Sequence, residues 1–301
     1  MRMEEFAEEV LKGVEEKAGG TLKVQIVSAN KNNGVTLTGI TASKHEGKGG
    51  VCIYLDNYYE YYCDNRITLD EVTEDVYGKL VEHSGDLDGV DMKPLWDWET
   101  AKSHIHAKLV NREMNQELLK KVPYREFLDL AVIYYVTLDG LSESGTAAFT
   151  VSDQSMEVWR KDENALYQMA VSNMRLDGKP VFEDMEKIIR SLMPEEIPDF
   201  PVGISRFRFY VLTNPKKIFG AVELLDGNTL KEIGDELGGD FIVLPSSLHE
   251  SIIIPADGSV SYQELADIVT DINRNVVSIV ERLSDHVYLY ERKEGALRIA
   301  A

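Results

Sequence analysis

Residues Phe209–Pro255 read FYVLTNPKKIFGAVELLDGNTLKEIGDELGGDFIVLPSSLHESIIIP. Two strand-like runs, Arg206–Leu212 and Phe219–Leu225, precede a short helix that Thr229-x-x-Glu232 would cap and Gly238-Gly239 would end. Two further apolar runs, Phe241–Leu244 and Ser251–Ile254, follow as strands. Strand, strand, helix, strand, strand places this region in an α+β class with mixed or antiparallel sheet. Between the last two strands stand Pro245, Ser246, Ser247, Leu248, His249 and Glu250. Two hydroxyls, an imidazole and a carboxylate thus meet where a strand breaks.

Outward toward the N-terminus the pattern is simpler. Met3, Phe6, Val10, Leu11 and Val14 line one face of a helix from Glu4 to about Lys17, which Gly19-Gly20 stops. Strands are expected near Thr21–Ala29, Val35–Ser43 and Val51–Leu55. Asn32-Asn33-Gly34 supplies the positive φ angles of a tight hairpin between the first two, and Gly47–Gly50 reads as a flexible tip. Thr68-x-x-Glu71 is a capping box that opens a helix bearing Val72, Val76, Leu80 and Val81. Residues 1–96 therefore read as a small helix–three-strand–helix module, and residues 97–301 as a larger α/β domain with a sub-boundary near 194–204, a proline-rich stretch.

In that larger part, helices are expected at Trp98–His106, Glu113–Lys121, Asp153–Arg160, Glu163–Asn173 and Phe182–Met193. Tyr124–Leu138 is a long apolar run that Asp139–Gly145 turns back into Thr146–Val151. Ser261-x-x-Glu264 opens a helix in which Leu265, Ile268, Val269, Ile272, Val276, Ile279 and Val280 recur at helical spacing. Val287–Tyr290 and Leu297–Ile299 read as closing strands.

The 301 residues carry 52 acidic and 32 basic side chains, a formal net charge of -20. Such a chain repels phosphate backbones, so nucleic acid is not an expected partner. No apolar run nears the ~20 residues of a membrane helix, and the acidic amphipathic start is unlike a secretory signal, so a cytoplasmic, membrane-free protein is expected. Cys52 and Cys63 form no CxxC or zinc pattern and read as reduced thiols.

Three motif-like spacings carry little chemistry. His104-x-His106 would bind metal on a strand, but in a helix the rings diverge by ~200°. Ser84-x-Asp86-x-Asp88-Gly89 imitates a calcium loop, yet Leu95 stands where the bidentate Glu belongs. Tyr54, Tyr58, Tyr59, Tyr61, Tyr62, Trp96 and Trp98 form an aromatic zone suited to a binding surface or to the rim of a core. No phosphate loop, dinucleotide fingerprint or nucleophile elbow appears, and neither a cofactor nor a metal is expected.

The candidate site residues are Ser246, Ser247, His249 and Glu250. Asp129 joins them as a carboxylate inside an apolar run that needs a partner such as Arg125, Arg206 or Arg208. Asn273 and Arg274 join as polar groups interrupting the long helix, the wall of a pocket or a solvated face. Two functions fit. One is a non-catalytic binding or regulatory protein for a protein or small-molecule partner. The other is a hydrolase or transferase centred on Ser247, His249 and Glu250, although no third group is supplied by the local sequence. Oligomeric state and substrate are not encoded in any motif.

Several stretches occur together in order: Asn32-Asn33-Gly34-Val35, IYLDNYYEYY (53–62), VPYREFLDLAVIYY (122–135), YVLTN (210–214), DFIVLPSSLHESIIIP (240–255), INR (272–274) and LSDHVYLYER (283–292). In these the chain resembles domain-of-unknown-function family 5688, an uncharacterised family common in gut Firmicutes. The resemblance spans nearly the whole chain and implies one integral protein of bacterial, intracellular origin. It brings no activity, cofactor or catalytic residue with it.

Overall fold

The computed structural model describes residues 1–43, 51–84, 90–138, 147–192, 208–245, 247–258 and 261–301. Outside them lie Ser246, Arg206, the Gly47–Gly50 tip, the Asp86-x-Asp88-Gly89 turn, the Asp139–Gly145 turn and the 194–204 boundary. The chain divides into two compact units, Met1–Met92 with Leu138–Ala147, and Lys93–Thr137 with Ala148–Ala301.

The first unit is a helix–three-strand–helix module. Helix α1 (Met3–Ala18) ends where Gly19 turns left-handed at φ 53°. Strands β1 (Lys23–Asn30), β2 (Thr36–Ser43) and β3 (Val51–Tyr54) form an antiparallel sheet in that order. The β1–β2 turn takes positive φ at Asn33 (59°) and Gly34 (69°), residues that tolerate it. Helices α2 (Asp56–Cys63) and α3 (Leu69–Glu82) complete the module. Phe6, Val10 and Val14 of α1 meet Ile40, Leu55, Val72, Val76 and Leu80, all fully buried. Each contributes roughly 1.5–3 kcal/mol by leaving water. Tyr58, Tyr59 and Tyr62 pack at the rim of this core, with Phe6 5.4 Å from Tyr59 and 5.1 Å from Tyr62. The aromatic zone of this unit is thus largely spent on packing, and Tyr61 alone of that run is well exposed, at 48%.

The second unit is larger and mixed. It begins with the short helix α4 (Trp98–Ala101), one 3-10 turn (Lys102–His104), strand β4 (Ile105–Asn111), the single turn α5 (Gln116–Leu119) and strands β5 (Tyr124–Phe127) and β6 (Leu130–Leu138). These strands form an antiparallel sheet of order β4-β6-β5, and β7 (Ala147–Thr150) pairs with β6. The helix expected over Trp98–His106 is therefore cut short. Ile105, Ala107 and Leu109 alternate inward as a strand does, and pairing with β6 decides the matter. Helices α6 (Asp153–Trp159) and α7 (Glu163–Leu176) follow, and Asn173 of α7 donates to the carbonyls of Lys102 (2.8 Å) and Ile105 (2.9 Å). Trp98 stacks edge-on against Trp159 at 5.9 Å, and Trp96 is exposed.

A second antiparallel sheet holds β8 (Val181–Asp184), β9 (Tyr210–Thr213), β10 (Phe241–Leu244), β11 (Ser251–Pro255), β12 (Tyr288–Glu291) and β13 (Ala296–Ile299) in the order β13-β12-β10-β11-β9-β8. Helix α8 (Met185–Leu192) follows β8, so Val181–Asp184 is strand where helix was expected. Helix α9 (Gly227–Leu237) and α10 (Tyr262–Asn275) take opposite faces of the sheet. Leu265, Ala266 and Val269 of α10 pack on Ile242, Leu244, Ile254 and Leu289. Gly234 of α9 lies against Tyr290, which stacks on its cross-strand partner Phe241 on the face away from α10. Alternation along β10 sorts these residues between the two faces.

Two further expectations are corrected here. Phe219–Leu225 is a buried 3-10 turn (Gly220–Leu225), and α9 starts earlier, with Asp226 as its cap, not Thr229. Helix α10 stops at Asn275, and Ser261 makes no side-chain cap bond. Its Ile268 and Ile272, with Val276 and Ile279 beyond it, are 42–77% exposed, so half of the apolar periodicity faces outward. Among the described residues no helix is long and apolar enough to cross a membrane.

Thr68 Oγ1 accepts the N–H of Glu71 (3.3 Å) while the Glu71 carboxylate takes the N–H of Thr68 (2.9 Å). Thr68→Ala should cost about 1 kcal/mol of stability, read as a lower urea midpoint at unchanged slope.

Candidate functional site

The segment after β10 is held from several sides. Pro245 has no N–H and ends the strand. Its carbonyl accepts the Ser284 N–H at 2.9 Å, and Leu248 donates its N–H to the Glu281 carbonyl at 2.9 Å. Ser247 forms an isolated antiparallel bridge with Arg282. On the other side Thr213 Oγ1 donates to the His249 carbonyl at 2.7 Å, and Ala221 donates its N–H to Leu248 O at 3.2 Å.

The side chains within it are equally committed. Ser247 Oγ accepts the backbone N–H of His249 at 3.0 Å. His249 Nδ1 accepts the backbone N–H of Phe219 at 3.3 Å, and the imidazole stacks on the Phe219 ring at 5.6 Å. An accepting Nδ1 leaves the proton on Nε2, which lies 3.9 Å from a Glu281 carboxylate oxygen. Ser247 and His249 are thus brought together through the backbone N–H. The carboxylate beside the ring belongs to Glu281, and Glu250 stands half-buried just before β11.

Phe219 extends this contact into a column of rings. Its own φ is 55°, a left-handed value that costs a bulky residue strain. Tyr135 meets it edge-on at 5.5 Å, and His106 stacks on Tyr135 at 5.4 Å. His106 and Tyr135 are direct cross-strand partners in β4 and β6. Lys108 Nζ sits 4.6 Å from the Phe219 ring centre. His106 Nδ1 is 3.5 Å from Asp177, which Lys216 also pairs at 2.9 Å. Burial lowers the His106 pKa, against the opposing pull of Asp177, and burial lifts the Tyr135 phenol to about 12. Among the described residues no group of three His, Cys, Asp or Glu side chains is placed to hold a metal ion.

At the foot of the column is a group absent from the sequence-based set. Glu223, on the 3-10 turn Gly220–Leu225, is only 2% exposed. Its carboxyl lines a small chamber of about 30 Å³ shared with His106, Tyr135, Asp177 and Lys216. It also lines an open cleft of about 500 Å³ with Arg175, Lys179, Phe182, Asp226 and Ile233. No described residue donates a side-chain or backbone hydrogen bond to it. Burial first, then the charges of Asp226 and Asp177, push its pKa up to about 7. Asp226 next to it is the opposite case. It accepts from Arg175 Nη2 (3.0 Å) and Nε (3.4 Å), and caps α9 through Asn228 N–H (3.2 Å). Burial pulls its pKa up, but Arg175 and the Asn228 N–H outweigh it and hold the carboxyl below its ordinary value.

The remaining sequence-predicted residues gather elsewhere. Asp129 lies in the β5–β6 turn after Leu128, whose φ is 55°. It accepts from Ser284 Oγ at 2.6 Å and from the Tyr288 hydroxyl, and lies 3.1 Å from His286 Nδ1. Arg125 pairs instead with Glu163 at 2.9 Å. Asn273, 2% exposed, donates to Ser284 O (2.9 Å) and Asp285 Oδ1 (2.7 Å), while the Arg274 carbonyl accepts from Arg282 at 3.3 Å. Asn111 donates to Leu283 O at 2.9 Å. Asp129, Asn273 and Asn111 together pin the 283–286 segment. None of the hydrogen bonds of Asp129 or Asn273 reaches His249. The Ser284 hydroxyl points its proton at Asp129, not at an imidazole, so this Ser, His and Asp are not arranged as a triad.

A family model matches residues 3–292, nearly the whole chain. The protein belongs to the family of unknown function DUF5688. No curated protein and no solved structure matches it. Membership in DUF5688 assigns no chemistry, so function has to be argued from the residues of this chain.

A faint signal for Glu223 does exist in the sequence. It is the lone carboxylate in the apolar run GAVELL, the same logic that singles out Asp129. The partners that make it unusual, Asp177 and Asp226, come from α7's end and α9's cap and carry no motif.

Two stability tests follow from this geometry. The Glu223 pKa is raised in the fold, so its contribution is fully present below the ordinary carboxylate value of 4.5 and is lost as pH rises toward 7. At pH 8 the buried charge should cost about 3 kcal/mol. Glu223→Gln should therefore be more stable than wild type by about that amount at pH 8, and by less than about 1 kcal/mol at pH 5, in urea titrations. A Cβ on Gly220 would sit 2.0 Å from Thr213 Oγ1 and 2.4 Å from the His249 carbonyl. Gly220→Ala should cost about 3 kcal/mol or more, measured by the same titration.

Proposed function

We propose that this protein is a non-catalytic ligand-binding protein and that the Glu223-floored cleft receives a small molecule. One observation carries the reading. Glu223 is a buried carboxyl with no partner among the described residues, and it lines a cleft of about 500 Å³. An uncompensated polar group is costly in a fold that gains nothing from it, and functional sites are where such groups are kept. The size is that of an ordinary small-molecule site, and Met174, Pro180, Phe182 and Ile233 supply its apolar lining. The two carboxylates whose charges act on Glu223 have their own cations, Arg175 on Asp226 and Lys216 on Asp177, and among the described residues Glu223 has none.

The hydrolase or transferase reading around Ser247, His249 and Glu250 has less support. A nucleophile needs its hydroxyl on the imidazole, and here Ser247 Oγ accepts a backbone N–H while His249 Nδ1 is occupied by Phe219.

A thermal-shift screen of the full chain against metabolites and nucleotides tests the choice. Wild type and His249→Ala should both shift with the same compound, Glu223→Gln should not, and the compound should be recovered unchanged by mass spectrometry. A shift lost in His249→Ala yet kept in Glu223→Gln would move the site to the Pro245–Glu250 segment. Turnover of the compound would replace binding with catalysis.

A further inference from the structure

Resting on that cleft reading, we infer that the ligand is an aliphatic amine, bound with its ammonium group against the Glu223 carboxylate. Two of the carboxylates around Glu223 are already balanced by cations. Asp226 is saturated by Arg175, the Asn228 N–H and Thr229 Oγ1. Asp177, on the chamber side, is paired with Lys216 and faces His106. Glu223 faces both carboxylates and neither cation is free to reach it, because each is held by its own partner. Among the described residues, then, Glu223 has no cation of its own.

The rim adds to this. Glu232 and Glu236 of α9 line the cleft, and Lys179 is the cation across from them. Counted over the lining, Glu223, Asp226, Glu232 and Glu236 oppose Arg175 and Lys179. An anionic ligand would have to pull Arg175 off Asp226, or bind to Lys179 alone in water. A neutral ligand would leave Glu223 as it is.

A bare metal ion fits poorly. Calcium takes six to eight oxygen ligands, and no described group of three His, Cys, Asp or Glu side chains is placed to hold a metal. An ammonium needs only a few acceptors, and one carboxylate provides two oxygens. Its carbon chain would lie on Met174, Phe182 and Ile233, which an inorganic ion would leave exposed.

Binding of such a cation has a consequence in protons. The Glu223 carboxyl titrates near pH 7, so at neutral pH it holds a proton for part of the time. An incoming ammonium requires the carboxylate, and the remaining proton must leave to solvent. The other charged and titratable groups facing Glu223 are Asp177, Asp226, Arg175, Lys179, Lys216, Glu232 and Glu236, with His106, whose pKa burial lowers, and Tyr135, whose pKa burial lifts to about 12. Apparent affinity should then fall about 10-fold from pH 8 to pH 6.

The test is calorimetric titration of the full chain with 1,4-diaminobutane in 150 mM salt, which screens the protein's overall negative charge. Succinate and calcium chloride are run alongside. Supporting results are binding that is about 10-fold weaker at pH 6 than at pH 8, release of about half a proton at pH 7 from the difference between Tris and phosphate buffers, and at least a 10-fold loss in Glu223→Gln at pH 8. The urea titrations of Glu223→Gln serve as the check that this variant folds. Binding of succinate without the diamine, abolished by Glu223→Gln, would overturn the amine inference and leave the cleft reading standing. Calcium binding that displaces the diamine would make the site a metal site and overturn it likewise. Equal diamine binding by wild type and Glu223→Gln, or none by either, also overturns the inference. The cleft reading falls with it only if the wider screen finds no compound dependent on Glu223.

Discussion

Gly220 approaches the end of β9 and the His249 carbonyl so closely that no side chain fits between them. Much of the second unit depends on that contact. It brings the 3-10 turn Gly220–Leu225 hard against the sheet, with Phe219 forced into a left-handed backbone on one side and Glu223 carried into the interior on the other. Phe219 then joins His249 to Tyr135 and His106, so two sheets of one unit share a column of rings. His249 is central to this arrangement as a structural acceptor. Its Nδ1 satisfies a backbone N–H that the tight turn would otherwise leave buried without a partner.

The unit handles its buried and half-buried carboxylates in three different ways. Asp129 is surrounded by donors, from Ser284, His286 and Tyr288. Asp226 is neutralised by a two-point Arg175 contact and put to use as a helix cap. Glu223 receives neither donor nor cation from the described residues. The contrast matters because all three sit in the same unit, so a local shortage of cations does not explain Glu223. Arg175 and Lys216 lie close enough to raise its neighbours' stability and are held away from it.

Local features of the sequence led to correct structure wherever the deciding forces were local. The Asn32-Asn33-Gly34 turn, the Thr68–Glu71 box and the Phe6, Val10, Val14 face specify the first unit from contacts within a few residues or one helix turn. The antiparallel sheet around FIVL and SIII was legible for the same reason. Phe219–Leu225 was not, because a six-residue apolar run fits a strand and a buried turn equally well, and only the Gly220 contact chooses. Asp129 was visible as a carboxylate in need of partners, but its partners lie 155 to 159 residues away. The apolar periodicity past Asn275 overstated α10, since spacing records a face without saying that anything covers it.

The strand order has a consequence in time. β10 lies at the middle of its sheet between β11 and β12, yet β12 and β13 are made after the other four strands of that sheet. Tyr288, whose hydroxyl meets Asp129, and Tyr290, which stacks on Phe241, arrive with them. During synthesis the apolar strand Phe241–Leu244 therefore waits with one edge open until Tyr288–Glu291 has followed it out of the ribosome. The core of the first unit, formed between Phe6 and Leu80, has no such delay. The chain's two parts thus mature in sequence, and the later one is exposed to strand-edge misassembly for as long as its C-terminal hairpin is missing.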